Sequence, residues 1–388
     1  MNMIAILKDL ILTKNKKEIL NIKELKIPEN KIVSIVGPSG AGKTSLLNLI
    51  AKLDKPTSGE LNVLGDLKTH EMGYILQDNL IYEETTVSNN IYLSAKNSFK
   101  WRKQARGQTL SNFIATNNIS NKWIDKKLNE YLNNEKENKE AILFANLFSL
   151  VLFVSLKNKV AMQFIKTIRL KNIFQKDLNN IANKMQISDI LNNKAKNISG
   201  GQKQRVLIAK AIIKKANLIL MDEPFSALDI KIKEKAIDWI IKIKNDFNLS
   251  IILITHDQYD ALKLSDYILV LNSGKLEQFD TKENILNKPK NYFVANFFSN
   301  PSLNFWNKND SYIEYLRPID VKLNSSDIVQ EYKVVAKENL GNLILYTVKN
   351  HEGKIIKSLS IDSQLNIGDY VTLNVENEKI LRFENEQN

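Results

Sequence analysis

Three short segments of this chain carry residues that could do chemistry. Gly37-Pro38-Ser39-Gly40-Ala41-Gly42-Lys43-Thr44 follows an apolar run, Lys31 to Val36, and precedes a helix-forming run that starts at Ser45 and reaches Leu53. A glycine-rich turn between a strand and a helix lets backbone N–H groups face phosphate oxygens with no Cβ in the way, at a helix N-terminus whose partial charge is positive. Lys43 would reach the outer phosphates of a nucleoside triphosphate, and the Thr44 hydroxyl would ligate Mg²⁺. Ser199-Gly200-Gly201-Gln202 opens a second helical stretch, Lys203 to Lys215, and offers another hydroxyl with bare N–H groups, again an anion site. The third segment, Leu218-Ile219-Leu220-Met221-Asp222-Glu223-Pro224, reads as a buried parallel strand ending in two carboxylates. Asp222 can hold Mg²⁺ or its water, while Glu223, one residue on and pointing elsewhere, suits a general base for an attacking water.

Two phosphate-binding turns in one nucleotide domain are too far apart to grip a single nucleotide. The economical arrangement is a head-to-tail pair of chains, each serine-glycine turn closing on the other's ATP. In these motifs the chain resembles the ATP-binding cassette family, and the resemblance covers nearly all of it except an insertion. Three more positions take roles from that resemblance alone. Gln77, in Tyr74-Ile75-Leu76-Gln77-Asp78, matches the glutamine that contacts Mg²⁺ and the water on a loop facing the membrane partner. Ser226-Ala227-Leu228-Asp229 matches a loop that crosses the dimer interface, and His256, after the strand Ile251 to Thr255, matches the histidine that touches the γ-phosphate.

The fold class expected is α/β. The resemblance implies a P-loop nucleotide-binding core formed by residues 1–93 and 197–298, a helical subdomain over 94–196 with an insertion at about 97–170, and an accessory β-barrel over 299–388. The barrel expectation also follows from alternation of apolar and polar residues, as in Leu343-Ile344-Leu345-Tyr346-Thr347-Val348. Within the insertion, Ala141 to Leu156 carries no charge and is shorter than the roughly 20 residues of a bilayer-crossing helix. It is expected to be a buried helix of an enlarged helical subdomain, with a face for the membrane partner or insertion into lipid as the alternatives.

Absence of cysteine excludes disulfides and thiolate metal sites, which fits a cytosolic protein. The net charge of +12 comes from lysines scattered among many Asn and Ile, a composition like that of an AT-rich, small-genome bacterium such as a mollicute. No basic stripe is interleaved with stacking aromatics, so nucleic acid is not an expected partner. The N-terminus has no leading basic run or cleavage site and does not read as a signal peptide.

The resemblance therefore implies the ATP-hydrolysing subunit of an importer, peripheral on the cytoplasmic face of the membrane, working as a homodimer with separate transmembrane permease subunits and an extracellular substrate-binding lipoprotein. The crossover Asn300-Pro301-Ser302-Leu303-Asn304-Phe305 leans toward importers of sugars, polyols or glycerol phosphates. A polyamine or other small-molecule importer is the alternative. A non-transport ATPase acting on ribosomes or DNA is the rival from another class, but such proteins usually carry two nucleotide domains or a long coiled coil.

One departure from the family pattern has a measurable consequence. Residues 1–36 contain no Phe, Tyr or Trp, and Thr13 stands where the family commonly stacks an aromatic ring on adenine. Stacking adds about 0.5–1.5 kcal/mol beyond area burial in aromatic pairs, so phosphate contacts carry the affinity when it is missing. ATP and GTP should bind with similar affinity in direct titration. A preference for ATP beyond about a hundredfold would mean that another residue recognises adenine.

Overall fold

The computed structural model describes residues 2–63, 67, 69–75, 81–157, 159–226, 230–325, 331–362 and 364–385. The chain divides into two compact units, Met1–Leu276 and Glu277–Asn388. In the first, a sheet of order β4-β1-β2-β9-β8-β3-β7-β6-β5 is built from β1 (Met3–Lys14), β2 (Lys17–Pro28), β3 (Ile32–Val36), β4 (Ser58–Val63), β5 (Gly73–Ile75), β6 (Leu218–Asp222), β7 (Ser250–Ile254), β8 (Tyr267–Asn272) and the start of β9 (Lys275–Thr281). β1 pairs antiparallel with β2 and β4, whereas β8, β3, β7, β6 and β5 run parallel. The parallel strands carry the continuous apolar runs because both of their faces are covered: every residue of β3 and β7 is buried. Helices α1 (Lys43–Ile50), α8 (Gly200–Ile213), α9 (Ile230–Phe247) and α10 (Gln258–Leu264) follow strands or precede them, giving the expected α/β core.

Between β5 and α8 the described residues form six α-helices joined by turns: α2 (Val87–Asn97), α3 (Phe99–Thr116), α4 (Lys122–Leu132), α5 (Glu137–Lys157), α6 (Ala161–Ile168) and α7 (Leu170–Met185). Their starts are set by side-chain caps. Thr86 accepts from Asn89 N, Ser98 from Trp101 N, and Asn121 from Trp123 N and Ile124 N. α2 and α7 join the main core through Ile91, Phe174 and Leu178, and fully buried Trp101 donates its Nε1–H to Asp177 at 2.7 Å, fastening α3 to α7. α3 to α6 enclose a second core of Leu110, Phe113, Leu147, Val151, Phe164 and neighbours. Beside it the Glu140 carboxylate, almost wholly enclosed, takes Arg106 at 2.7 Å, Arg102 at 3.4 Å and the Tyr131 hydroxyl at 3.1 Å. A buried acid held this way costs several kcal/mol if its cations are removed.

α5 shows what the uncharged stretch becomes. The helix is longer than the apolar run, and by length and composition it could cross a membrane. It packs by one face only. Leu147, Val151 and Ser155 are inside, while Ile142, Phe153 and Leu156 are 64%, 57% and 62% exposed. Lack of charge had suggested burial all round, but the packed face alone is enough to bury Leu147 and Val151, and nothing in the hydropathy distinguishes the two sides.

The second unit begins with the rest of β9, followed by α11 (Lys282–Asn287) and α12 (Tyr292–Phe297), and continues as β-structure. β10 (Asn304–Lys308), β11 (Tyr312–Leu316) and β17 (Leu381–Glu384) form one sheet. β12 (Lys322–Ser325), β13 (Tyr332–Asn339), β14 (Ile344–Asn350), β15 (Ile355–Ser360) and β16 (Tyr370–Asn374) form another, in the order β12-β16-β13-β14-β15. The alternation read from sequence is real in β13, where Tyr332 and Val334 are buried and Lys333 is exposed, until a bulge between Val334 and Ala336 shifts the register.

The second helical core yields a stability expectation. Leu147→Ala removes a fully buried side chain from α5 and should cost about 2–5 kcal/mol in equilibrium chemical denaturation. A loss under about 1 kcal/mol would mean that α5 is not held by that core.

Candidate phosphate and metal site

Three parallel strands end in one row. Ile35 of β3 is in register with Ile254 of β7, and Ile254 with Asp222 of β6. Loops leaving that row therefore start side by side. The loop after β3 turns through Gly37 (φ 148°), Gly40 (φ 78°) and Gly42 (φ 94°) before α1 begins at Lys43. The glycines serve different ends. A Cβ on Gly37 would lie 2.1 Å from the Leu271 carbonyl oxygen, so this position must be bare for β8 to approach, whereas nothing lies within 4 Å of a Cβ on Gly40, which instead needs its left-handed backbone. Ala41 N–H donates to Pro38 O at 3.2 Å and Ala41 O accepts from Gly274 N at 3.2 Å, fixing the loop from both sides.

Lys43 curls back over its own loop, its ammonium donating to Gly37 O and Pro38 O, both at 2.9 Å. Burial holds its pKa below the usual lysine value against the opposing pull of Glu223 and Asp222. Asp222 is shifted the other way. Burial raises its carboxyl above the ordinary range, with the nearby Glu223 charge adding to this, while a hydrogen bond from the Thr44 hydroxyl and the Lys43 charge resist. Thr44 and Asp222 are thus in direct contact and present two oxygen ligands at one point. Such ligands suit a hard divalent cation that keeps several waters and shares its remaining bonds with phosphate. Among the described residues no cluster of three or more His, Cys, Asp or Glu offers a metal site of its own.

Glu223 sits at a left-handed φ of 46°, a conformation a non-glycine residue adopts at a cost of order 1–3 kcal/mol. It is held there by its N–H to Ile254 O at 3.1 Å and by Ser226, whose N–H and hydroxyl donate to Glu223 O at 3.3 and 3.1 Å. The reversal separates the Glu223 side chain from that of Asp222 and directs it to His256, whose Nδ1 is 3.3 Å from Oε1. The loop after His256 is pinned by Lys233, which pairs with Asp257 and, at 3.0 Å, with Asp260. Lys43, Thr44, Asp222, Glu223 and His256 therefore form one contiguous group.

Ser199 and Gln202 close a reciprocal cap at the start of α8. Gln202 N donates to Ser199 Oγ at 3.3 Å and Ser199 N to Gln202 Oε1 at 3.0 Å. The Ser199 hydroxyl proton stays available to donate outward. Gly200 and Gly201 have nothing within 4 Å of an added Cβ, so their backbone faces open space. Pro38 and Ser39 lie in the same loop, and Ser45 lies in the first turn of α1. Gln77 and the loop residues Ala227, Leu228 and Asp229 lie outside the described residues.

Several contacts at the site had no legible signal in the sequence. The Tyr74 hydroxyl donates to Asn48 Oδ1 at 2.6 Å, and its pKa is pushed up to about 12 by burial, with the Asp222 charge adding to it. Gln204, just beyond the Ser199 turn, donates to Pro224 O at 2.6 Å, so α8 is tied to the Glu223 turn. Lys203 pairs with Glu83 at 3.1 Å, and Lys194 and Lys196 with Glu84 at 3.3 and 3.0 Å, joining the Ser199 region to the start of α2.

The family described as "ABC transporter" matches residues 20–226. The chain is 31% identical over 325 residues to the spermidine/putrescine import ATP-binding protein PotA of Mycoplasmopsis synoviae, covering 76% of this chain and 70% of that protein. It is 27% identical over 297 residues to the sulfate/thiosulfate import ATP-binding protein CysA of Synechocystis, covering 75% and 64%. Among solved structures, cbiO1 from Clostridium perfringens, part of the ABC transporter complex cbiONQ, superimposes with a TM-score of 0.51 at 15% identity over 75% of this chain and 93% of that one, a likeness of fold.

Replacing Glu223 by Gln keeps the shape of the turn and removes the proton acceptor. Steady-state ATP hydrolysis should fall at least about a hundredfold while ATP still binds; turnover above a tenth of wild type would take Glu223 out of the general-base role. Lys43→Ala should instead weaken nucleotide binding itself, measured by titration calorimetry.

Proposed function

This chain belongs to the ABC transporter family as the ATP-binding, ATP-hydrolysing subunit of an importer, and from that premise we propose polyamines as the solute it moves. The observation that carries the proposal is the similarity to a spermidine/putrescine import ATPase along three quarters of the chain. The sequence expectation of sugars, polyols or glycerol phosphates is kept as a second reading. It rests on the crossover at Asn300 to Phe305, and the named relatives above, importers of polyamines and of sulfate, lend it no support.

In this reading the loop Gly37 to Thr44 and the start of α1 bind the phosphates of ATP. Thr44, Asp222 and, by the family resemblance, Gln77 would hold Mg²⁺, which would supply neutralisation of charge on the phosphates. Glu223 takes the proton of the attacking water, and His256, held against Glu223, meets the γ-phosphate. The left-handed turn at Glu223 matters because it aims the carboxylate at His256. Ser199 to Gln202 faces outward with an open anion site and so serves the nucleotide of a second copy, which makes the active form a homodimer. Closure of that dimer on ATP and its reopening after hydrolysis would drive the permease.

Importer ATPases of this family act at the cytoplasmic side of the membrane with transmembrane permeases and substrate-binding proteins. A cleft of about 550 Å³ between β5 and α8, lined by Tyr74, Ile81, Tyr82, Leu93, Lys210 and Lys214, supports a permease contact here. Burial lowers the Lys210 pKa to about 8, with neighbouring Lys214 adding to the shift, so an acidic side chain arriving in the cleft would raise it again and pair with the ammonium. The capture protein is expected to be a lipoprotein outside the cell.

The solute is tested by uptake in cells that carry Glu223→Gln in place of the wild-type chain. Labelled spermidine accumulation should drop at least tenfold while maltose and glycerol 3-phosphate uptake persist. Loss of the latter two with spermidine uptake intact would assign the importer to carbohydrates instead.

A further inference from the structure

The helices α5 and α6 carry an apolar surface that the packing leaves uncovered. On α5, Ile142, Ser149, Phe153 and Leu156 share the side opposite Leu147 and Val151, as their spacing on a helix requires. Across the turn, Met162 is 81% and Ile165 37% exposed, while Phe164 and Ile168 point into the core. The two helices are packed together: the Phe148 and Phe164 rings lie tilted with centroids 5.2 Å apart, Phe113 and Phe164 likewise at 5.1 Å, and Val160 N–H donates to Ser155 O at 2.9 Å. Its exposed apolar residues are therefore a fixed feature of a folded surface.

Charge identifies what covers that surface. No Asp or Glu occurs from residue 141 to 176, and in the same span stand Lys157, Lys159, Lys166, Arg169, Lys171 and Lys176. In a chain with 43 acidic residues, this is a long stretch with one sign only. Lys157, Lys159, Lys166 and Arg169 are all exposed, and Lys157 lies over the exposed Phe153 ring with its ammonium 4.7 Å from the centroid. Apolar side chains rimmed by cations match the boundary of an anionic bilayer, where rings and aliphatic chains enter the acyl region while ammonium groups stay among phosphates.

We propose that the α5–α6 hairpin docks on an anionic phospholipid surface through Phe153, Leu156 and Met162, with Lys157, Lys159 and Lys166 on the headgroups. The hairpin lies on the bilayer and does not cross it. Leu147, Val151 and Ser155 of α5 are already enclosed by protein, and Glu140 near its start is bound to Arg102 and Arg106, so the helix has only one side to give to lipid. The contact is independent of which solute the importer carries. It gives the ATPase its own hold on the membrane, beside any hold through a permease.

The test is sedimentation of the purified full chain with permease-free vesicles of phosphatidylglycerol, against vesicles of phosphatidylcholine. Binding should require the anionic lipid, weaken as salt rises, and drop at least about tenfold in Lys157→Glu/Lys159→Glu/Lys166→Glu, whose ATPase turnover should match wild type and so report an intact fold. The chain has no cysteine, so Phe153→Cys takes a single environment-sensitive fluorophore, and its emission should shift to the blue on anionic vesicles. Equal sedimentation on both lipids, binding indifferent to the charge reversal, or a label that stays in water would each overturn the proposal. Retention only on vesicles that contain the permease would also overturn it, and would assign the face to a protein partner.

Discussion

The parallel register of β3, β7 and β6 is the constraint on which the rest of this chain depends. Ile35, Ile254 and Asp222 stand in one row, and hydrogen bonds carry the row past the strand ends, from Thr255 N to Ile35 O and from Glu223 N to Ile254 O. A shift of one residue in any of these strands would invert its side chains and move its loop by about 3.3 Å. The Thr44–Asp222 hydrogen bond and the Glu223–His256 contact would both be lost. Continuous burial of β3 and β7 prevents that shift, so the apolar core is what holds the polar group in place.

Within that frame the site works by setting like groups in unlike surroundings. Asp222 and Glu223 are adjacent in sequence, yet the left-handed turn at Glu223 sends one carboxylate to Thr44 and Lys43 and the other to His256. The electrostatic balance is mutual. Lys43 is destabilised as a cation by burial and Asp222 as an anion, and each partly offsets the other. A bound phosphate group and a divalent cation add charges of both signs to this group, and a preformed arrangement of donors and acceptors costs little reorganisation when they do.

The helical region shows how a chain can extend a subdomain without disturbing the core it serves. α3 to α6 have their own apolar centre, and their link to the rest runs through specific ties such as Trp101 to Asp177. The ends nearer the nucleotide core keep their own polar fastening, with fully buried Asn90 bonded to Tyr82, Thr85 and Thr86. Added helices can therefore acquire a surface property, here a basic and apolar face, that the ATP-binding motifs neither need nor constrain.

The sequence by itself determined the α/β core, the phosphate-loop turn, the acidic pair and the serine-glycine helix start. Each of these is local: a glycine pattern fixes a backbone turn, an apolar run fixes a buried strand, and Ser199 with Gln202 fixes a cap within four residues. It also indicated short strands after about Tyr312, because alternation is a local property too. What it did not contain were relations between segments distant along the chain. The Tyr74–Asn48 bond, the tie from Gln204 to Pro224 and the pairing of Glu83 and Glu84 with lysines more than a hundred residues away exist only once the sheet and helices have assembled. The fate of Ala141 to Leu156 belongs to the same class. An uncharged stretch has no charged side to mark which face meets water, so which face is enclosed and which is left open was decided by the helices packed against it.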